Sequence, residues 1–400
     1  MPHGPGRSRF PRTGFRSRTS FPVVPPVSNT AQDLVIVGAG FAGMACAKVA
    51  AEHGLRTLVM ERKPWPGRGV HSTGILVREL AEFWDPPARL CRRIEGIRLY
   101  GPGGRGIDLH SPGYYFLATD TAALVEWHRR QAIDAGAAVR FGSPYRRAQL
   151  SRDTYIINES DLCARYLVGA DGARSAVAAD RQLGRNRQFL FGMEAELPPI
   201  PEVDPDFLHV FLDGELAPGY IGWVVPGIGI TQIGLGCRMP SQLDLHGFLR
   251  RMAGWFGVSL PKPLGFRTGL IPCGGMVRPW HGAGTLLLGD AAGTVSPLTG
   301  GGIHPAIALG QRAGHALVEH LLGAGPPPHV TLTPGLPDYG ARVMLRAALD
   351  HLPAQELLLR LLFSSLPFRA LAQLVFFHQR GLFSTEAWRD LLEMLQGGAS

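Results

Sequence analysis

Asp33-Leu-Val-Ile-Val-Gly-Ala-Gly-Phe-Ala-Gly-Met-Ala-Cys-Ala-Lys-Val-Ala-Ala-Glu-His-Gly-Leu-Arg-Thr-Leu-Val-Met-Glu61 is the stretch that decides the fold. Asp33–Val37 is a short apolar run of the kind that forms a strand buried on both faces. Gly38-Ala39-Gly40-Phe41-Ala42-Gly43 follows at once, and an Ala-rich segment from about Ala42 to His53 reads as a helix stopped by Gly54. A second strand, Arg56–Met60, ends at Glu61. The spacing predicts a β-α-β unit. Gly38 permits the tight turn, Gly40 lets backbone approach a pyrophosphate, and Gly43 lets helix and strand pack closely. The helix N-terminus offers free N–H groups and a positive dipole end to phosphate. Glu61 lies 23 positions beyond Gly38, the spacing at which an acid reaches ribose hydroxyls. Residues 38–43 with Glu61 therefore predict dinucleotide binding.

Working outward, 400 residues suggest two domains, and 45% hydrophobic against 18% charged residues reads as globular. The formal charge of +8 is misleading, because Arg7, Arg9, Arg12, Arg16 and Arg18 all precede the first acid, Asp33. Without those five the remainder carries +3. No basic stripe interleaved with aromatics is present, which argues against nucleic acid as a partner. Residues 1–30 are rich in Arg, Pro, Ser and Gly and read as a disordered tail, with a targeting peptide as the alternative. No apolar core of a secretory signal follows. Five scattered cysteines, never in CxxC, fit reduced thiols in a cytoplasmic protein and no metal site. Leu216–Cys237 and Ala291–Gln311 lack charge and reach membrane-span length, but each holds several Gly and two Pro, which suits strands and loops.

Further along, we expect a helix over Leu76–Phe83, strands near Ile97–Tyr100, Gly106–Leu109 and Tyr114–Leu117, and a helix over Thr121–Ala135. Arg165–Val168 reads as a strand that ends at Gly169-Ala-Asp-Gly172. Residues 187–267 alternate in the manner of strands, interrupted by a helix near Gln242–Phe256. Gly284–Asp290 is a third buried strand of the nucleotide domain, and Ile303–Leu322 a long helix.

Two further motifs carry a family resemblance. Gly169-Ala-Asp-Gly-Ala-Arg-Ser175 resembles the GADGxxSxV motif of class A flavoprotein hydroxylases and geranylgeranyl reductases. Gly289-Asp-Ala-Ala-Gly-Thr-Val-Ser-Pro-Leu-Thr-Gly-Gly-Gly-Ile303 resembles their GDAAG…PLTGxGI stretch. The resemblance covers about three quarters of the chain and is clearest to the geranylgeranyl reductase branch. It implies FAD as cofactor, held by Gly38, Ala39, Gly40, Phe41, Ala42, Gly43, Glu61, Arg62, Arg68, Asp171, Gly172, Asp290, Pro297, Gly300, Gly301, Gly302 and Ile303. Asp290 is expected on the ribitol and the 300–302 backbone beside the pyrimidine edge of the flavin. Many relatives carry Arg after the Asp that starts the middle helix. This chain has Asp120-Thr121, with Arg62 and Arg68 as compensating cations.

The fold this implies is α/β, a split Rossmann-type FAD-binding domain with an inserted antiparallel β-sheet substrate domain and a C-terminal helical region. We expect the FAD-binding domain over 31–75, 115–180 and 268–325, the substrate domain over 76–114 and 181–267, and the helical region over 326–400. Pro218-Gly-Tyr-Ile-Gly-Trp-Val-Val-Pro226 resembles the substrate-sheet motif of geranylgeranyl reductases, so Tyr220, Trp223 and Pro226 are candidate pocket residues. Tyr220 is displaced by one from the family position, which in a continuous strand reverses its face. Trp223 as plain core is the competing reading. His71, Tyr220 and His304 are the candidate proton donors, although a lone His is more often structural. The flavin carries the chemistry.

Three functions stay open at this point. The first is reduction of isoprenoid-like C=C bonds in a hydrophobic substrate, with NADPH, NADH or ferredoxin as external electron donor. The second is hydroxylation through a flavin hydroperoxide. The third is a non-redox, cyclase-like or non-catalytic flavin protein. The apolar tail 357–377 reads as a helical cap over the substrate domain, with a peripheral membrane contact as the sharper alternative.

Overall fold

The computed structural model describes residues 31–65, 71–102, 104–159, 162–323, 325–351, 361–363 and 365–377. The expected tail 1–30 and Arg68 lie outside the described residues, as does much of 352–400.

The β-α-β unit forms where its pattern places it. Strand β1 (Gln32–Val37) pairs in parallel with β2 (Thr57–Met60), and helix α1 (Phe41–Glu52) crosses between them. Leu34, Val35 and Ile36 have no exposure at all, as a strand covered on both faces requires. Burying each contributes about 1.5–3 kcal/mol. The sheet runs β17 (His281–Gly282), β18 (Thr285–Leu287), β11 (Leu162–Gly169), β1, β2, β8 (Ala138–Arg140). The β9–β10 hairpin (Ala148–Ser151, Thr154–Ile157) extends it through β11. Its five central strands are parallel, and all three sequence motifs follow the carboxyl ends of β1, β11 and β18. Ligands of open α/β sheets bind at such strand ends.

Helix α3 (Thr121–Asp134) starts from the Asp120 cap, whose carboxylate accepts the Ala123 N–H at 3.1 Å. Helix α4 (Ala176–Asp180) follows β11, and the long α6 (Ile303–Leu321) packs closely along α1. Small residues make that approach: a Cβ at Gly310 would sit 2.6 Å from the Ala42 carbonyl oxygen. Cys46 lies in this seam, fully buried, with its thiol pushed up to about 12 by desolvation. It is a packing residue, and all five cysteines are free.

The second sheet has seven strands: β16 (Gly265–Pro272), β12 (Phe189–Leu197), β15 (Thr231–Arg238), β14 (Gly222–Pro226), β13 (Phe207–Phe211), β5 (Gly96–Tyr100) and β6 (Gly106–His110). It is antiparallel except at β5/β13, which run parallel because β5 enters from a distant part of the chain. Helix α5 (Leu245–Phe256) covers one face through Leu245, Phe248 and Met252. A three-stranded sheet of β3 (Ile75–Val77), β7 (Phe116–Thr119) and β4 (Cys91–Ile94) lies between the two large sheets in chain order.

Here the sequence expectation fails locally. Only α2 (Arg78–Ala81) remains of the helix expected over 76–83, because Ile75–Val77 is drawn into pairing with Phe116–Ala118. The same pairing shifts the strand expected at 114–117 to 116–119. Helices α7 (Pro328–Leu332), α8 (Gly340–His351) and the helix Leu366–Phe377 form the described part of the C-terminal region. Among the described residues no helix is long and apolar enough to cross a membrane.

Candidate functional site

The phosphate turn is built by contact. Gly38 has φ +107°, and a Cβ there would fall 2.2 Å from the Ala170 carbonyl oxygen, so the first and second motifs interlock. Gly40 differs. Nothing of the protein lies within 4 Å of where its Cβ would be, and it sits at the N-cap of α1 with no side-chain cap. The first N–H groups of α1 therefore face open space with their dipole. Glu61 is already poised: one carboxylate oxygen accepts the Ala39 N–H at 3.0 Å and the other the Lys63 N–H at 2.9 Å. Each retains a free lone pair for a hydroxyl. Arg62 is exposed beside it.

Asp171 accepts from Ser175 Oγ at 2.6 Å and from the N–H groups of Ala176 and Val177 at 2.6 and 3.2 Å. Its carboxylate braces the turn ahead of α4, and Gly172 takes φ +84°. Asn186 donates from one amide to the carbonyls of Ala173 and Asp290, tying the second motif to the third. Asp290 itself has no side-chain hydrogen bond to any described residue, and burial pushes its carboxyl up to about 6. A half-buried acid with no partner is costly unless something else donates to it. Downstream, Pro297 to Gly302 forms a loop into α6, whose first turn also lacks a side-chain cap. An unpartnered carboxylate, two uncapped helix ends and the clear approach to the backbone at Gly40 fit an adenine dinucleotide with a polyol.

Thr121 explains the missing arginine. It is fully buried beneath the loop ahead of β3, its Oγ1 donating to the Thr73 carbonyl at 3.3 Å, and a Cβ on Gly74 would fall 1.9 Å from that hydroxyl. An arginine would not fit there without moving the loop.

On the second sheet, Tyr220 precedes β14 rather than lying within it, in a turn after Gly219 at φ +70°. The turn absorbs the one-residue displacement, so the expected reversal of face does not occur. The Tyr220 ring lies over Gly236 and the Trp223 indole over Gly234, where Cβ atoms would come within 2.5 Å of the rings. Gly234 and Gly236 are two apart on β15, so both rings occupy one face. Strand alternation turns Pro226, the third residue after Trp223 on β14, to the opposite face from the Trp223 ring. Tyr220 Oη donates to the Thr299 carbonyl at 2.7 Å and would meet a Cβ on Gly300 at 2.5 Å. Burial raises its phenol, which stays a donor. This contact joins the aromatic face to the 289–303 segment. Arg346 of α8 donates to the Gly219 carbonyl behind it.

Among the described residues no hydrogen bond or ring contact joins the three candidate proton donors. His71 Nδ1 lies 2.6 Å from the Thr268 carbonyl oxygen, which makes Nδ1 the protonated nitrogen. His304, in the first turn of α6, packs on Phe83 with ring centroids 5.7 Å apart, and burial holds it below the usual imidazole range. Sequence reasoning missed Glu194, Gln232 and Thr73. Glu194 on β12 is 3% exposed and accepts from Trp223 Nε1 at 2.8 Å, Thr73 Oγ1 at 2.9 Å and Gln232 Nε2 at 3.0 Å. Only the cross-strand register of Trp223, Gly234 and Glu194 could have signalled it. Among the described residues no cluster of His, Cys, Asp or Glu could hold a metal.

Comparison with known proteins agrees with this geometry. Residues 33–174 match the family described as FAD dependent oxidoreductase. The chain is 30% identical over 317 residues to digeranylgeranylglycerophospholipid reductase 1 of Methanopyrus kandleri, covering 72% of this chain and 80% of that protein. It is 30% identical over 316 residues to menaquinone reductase of Mycobacterium tuberculosis, covering 71% and 76%. Its fold superposes on that of a geranylgeranyl bacteriochlorophyll reductase-like protein from Thermoplasma acidophilum with a TM-score of 0.73 at 21% identity, covering 91% of this chain and 99% of the other. The nucleotide cradle, the aromatic sheet and the extent of these matches lead to one assignment: the chain belongs to the geranylgeranyl reductase-like FAD-dependent oxidoreductases.

Proposed function

We propose that this oxidoreductase reduces C=C bonds of a long, hydrophobic, isoprenoid-like substrate lying between the 297–302 loop and the aromatic face of the second sheet. The observation that carries this reading is the Tyr220–Thr299 bond, which sets the Tyr220 ring, on the same face as Trp223, against the segment expected beside the flavin. The relatives named as reductases of geranylgeranyl lipids and menaquinone support it. FAD would be held by residues 38–43 at its phosphates, by Glu61 at the ribose and by Asp290 at the ribitol. Bound and reduced, it supplies a hydride, and one proton completes the addition of two hydrogens. Tyr220 and Trp223 bind and orient the chain and exclude water.

Anaerobic turnover of a C20 isoprenoid substrate, with the product weighed by mass spectrometry, tests the reading. A gain of two hydrogens is expected. Gain of an oxygen atom in air, with none of hydrogen without it, would instead establish a hydroxylase. The external donor is NADPH, NADH or ferredoxin, and the rate of flavin bleaching with each, anaerobically, identifies it. A finer proposal is peripheral membrane contact through the C-terminal helices, where Met344, Leu361, Leu362 and Leu366 are exposed. Co-flotation with anionic liposomes should then be lost when these four become serine.

Asp290 gives a pH signature. Burial pushes its carboxyl up to about 6. A ribitol hydroxyl donating to it favours the ionised form, so the bound-state value falls below the free one. Affinity of the apoprotein for FAD should therefore rise as pH climbs through about 6 and level off above. Asp290→Asn should flatten that step, and Asp290→Ala should cost about 1.5–3 kcal/mol of binding. FAD titrations from pH 5 to 8 decide it. A step that persists in the Asn variant rules Asp290 out.

A further inference from the structure

The geometry points to Glu194 as a positioning residue that sets the Trp223 indole and the 71–74 loop against each other, so that one buried carboxylate fixes both a ring of the candidate pocket and the loop beside it. This rests on the reading of Trp223 as a substrate-contacting residue given above.

Glu194 is the second of five residues in a row that crosses the second sheet: Arg267, Glu194, Gly234, Trp223 and Val210 are successive cross-strand partners. Residues directly opposite in antiparallel strands share a face. Gly234, having no side chain, leaves the lane through which the indole Nε1 reaches the carboxylate across one intervening strand. The third donor, Gln232, lies two residues before Gly234 on β15 and also donates to the Thr73 carbonyl at 3.1 Å. Its amide orientation follows from its neighbours, because both the Thr73 carbonyl and the Glu194 carboxylate are acceptors.

The loop is held at each step. His71 meets the Thr268 carbonyl, the Ser72 carbonyl accepts from Arg267 Nη1 at 2.8 Å, and Thr73 engages Glu194 and Gln232. From the other side, Thr119 Oγ1 donates to the Gly74 carbonyl at 2.8 Å. Of these attachments, Glu194 alone also holds an aromatic ring of the candidate pocket. Burial raises the Glu194 carboxyl, opposed by its donors. A carboxylate with both oxygens accepting is suited to orienting other groups, since all three donors lose their acceptor if it is replaced. A buried indole N–H needs such a partner, and without one the ring turns to find another.

Two arms test the proposal on the FAD-loaded enzyme. The first needs no substrate. Hydrogen exchange at 71–74 and across β14 should accelerate in Glu194→Gln, where three donors face one oxygen rather than two, while flavin content stays at the wild-type level. The second arm is kinetic. Glu194→Gln and Trp223→Phe should each raise KM for a C20 isoprenoid alcohol by about tenfold with kcat little changed, the loss expected of one charge-assisted hydrogen bond. The double variant should be no worse than either single one. Thr73→Val, which leaves β12 untouched, should reproduce the loop effect.

Unchanged exchange at 71–74 in Glu194→Gln, or KM effects that multiply in the double variant, would overturn the positioning role. A parallel fall in melting temperature and flavin content with no KM change would show that Glu194 only stabilises the sheet. If wild-type enzyme fails to bind or turn over the alcohol, the reading of the pocket fails, and the exchange arm still decides whether Glu194 couples loop and ring.

Discussion

Gly40→Val should give a folded protein that carries no FAD. The backbone at Gly40 is extended, with φ −83° and ψ −175°, a conformation Val adopts readily. No protein atom lies within 4 Å of the added Cβ, so the fold has no reason to object. The obstruction is to the ligand, because the side chain would stand where the pyrophosphate must approach the N-terminus of α1. Overpacking of that kind costs about 1–3 kcal/mol even where neighbours relax, and lost phosphate contacts add to it. Gly43 is the control of opposite sign. A Cβ there would lie 2.1 Å from the Gly38 carbonyl oxygen, backbone against backbone. Gly43→Val should therefore destabilise the protein itself. Flavin absorbance and melting temperature on the two purified variants separate the cases. A Gly40→Val protein that keeps its flavin absorbance would remove Gly40 from the cradle.

Trp223→Ala should leave the enzyme folded and flavin-replete but reduce kcat/KM for a C20 substrate by about 30- to 150-fold, equivalent to about 2–3 kcal/mol of lost aromatic contact. Trp223 is half-buried, with Val210 and Gly234 as its cross-strand neighbours. That position lies between the two readings the sequence left open. A fully internal tryptophan would instead cost about 3–5 kcal/mol of stability on truncation. Melting temperature, flavin content and kinetics measured on one preparation distinguish them. Joint loss of stability and flavin would make Trp223 core, and unchanged kinetics in a stable protein would exclude it from substrate contact.

The parts of the molecule that were legible beforehand are those in which neighbours in sequence are neighbours in space. The run from Asp33 to Glu61 specifies its strand, turn and helix from local pattern, and the 289–303 stretch places a loop before a helix in the same way. The parts that were not legible depend on register and tertiary competition. Leu76 and Val77 open the segment read as a helix over 76–83, but pairing of Ile75–Val77 with Phe116–Ala118 outweighs it. Tyr220 looks one residue out of place until the turn at Gly219 is seen to restore it. Glu194 and Glu196 alternate along β12 as solvent-facing acids would, and nothing local tells that Thr73, 121 residues earlier, comes to rest on one of them.

The bare positions beneath the two aromatic rings have an evolutionary consequence. Gly234 and Gly236 are already the smallest residues available, and every substitution there adds volume under Trp223 or Tyr220. A side chain at either site would press on the ring above it, and the Tyr220 ring is already bonded to the 297–302 loop. Where this floor bounds the substrate, added room has to come from elsewhere, by trimming the rings or moving the loop. Substitution at these two glycines therefore works in one direction, tightening the floor and never opening it.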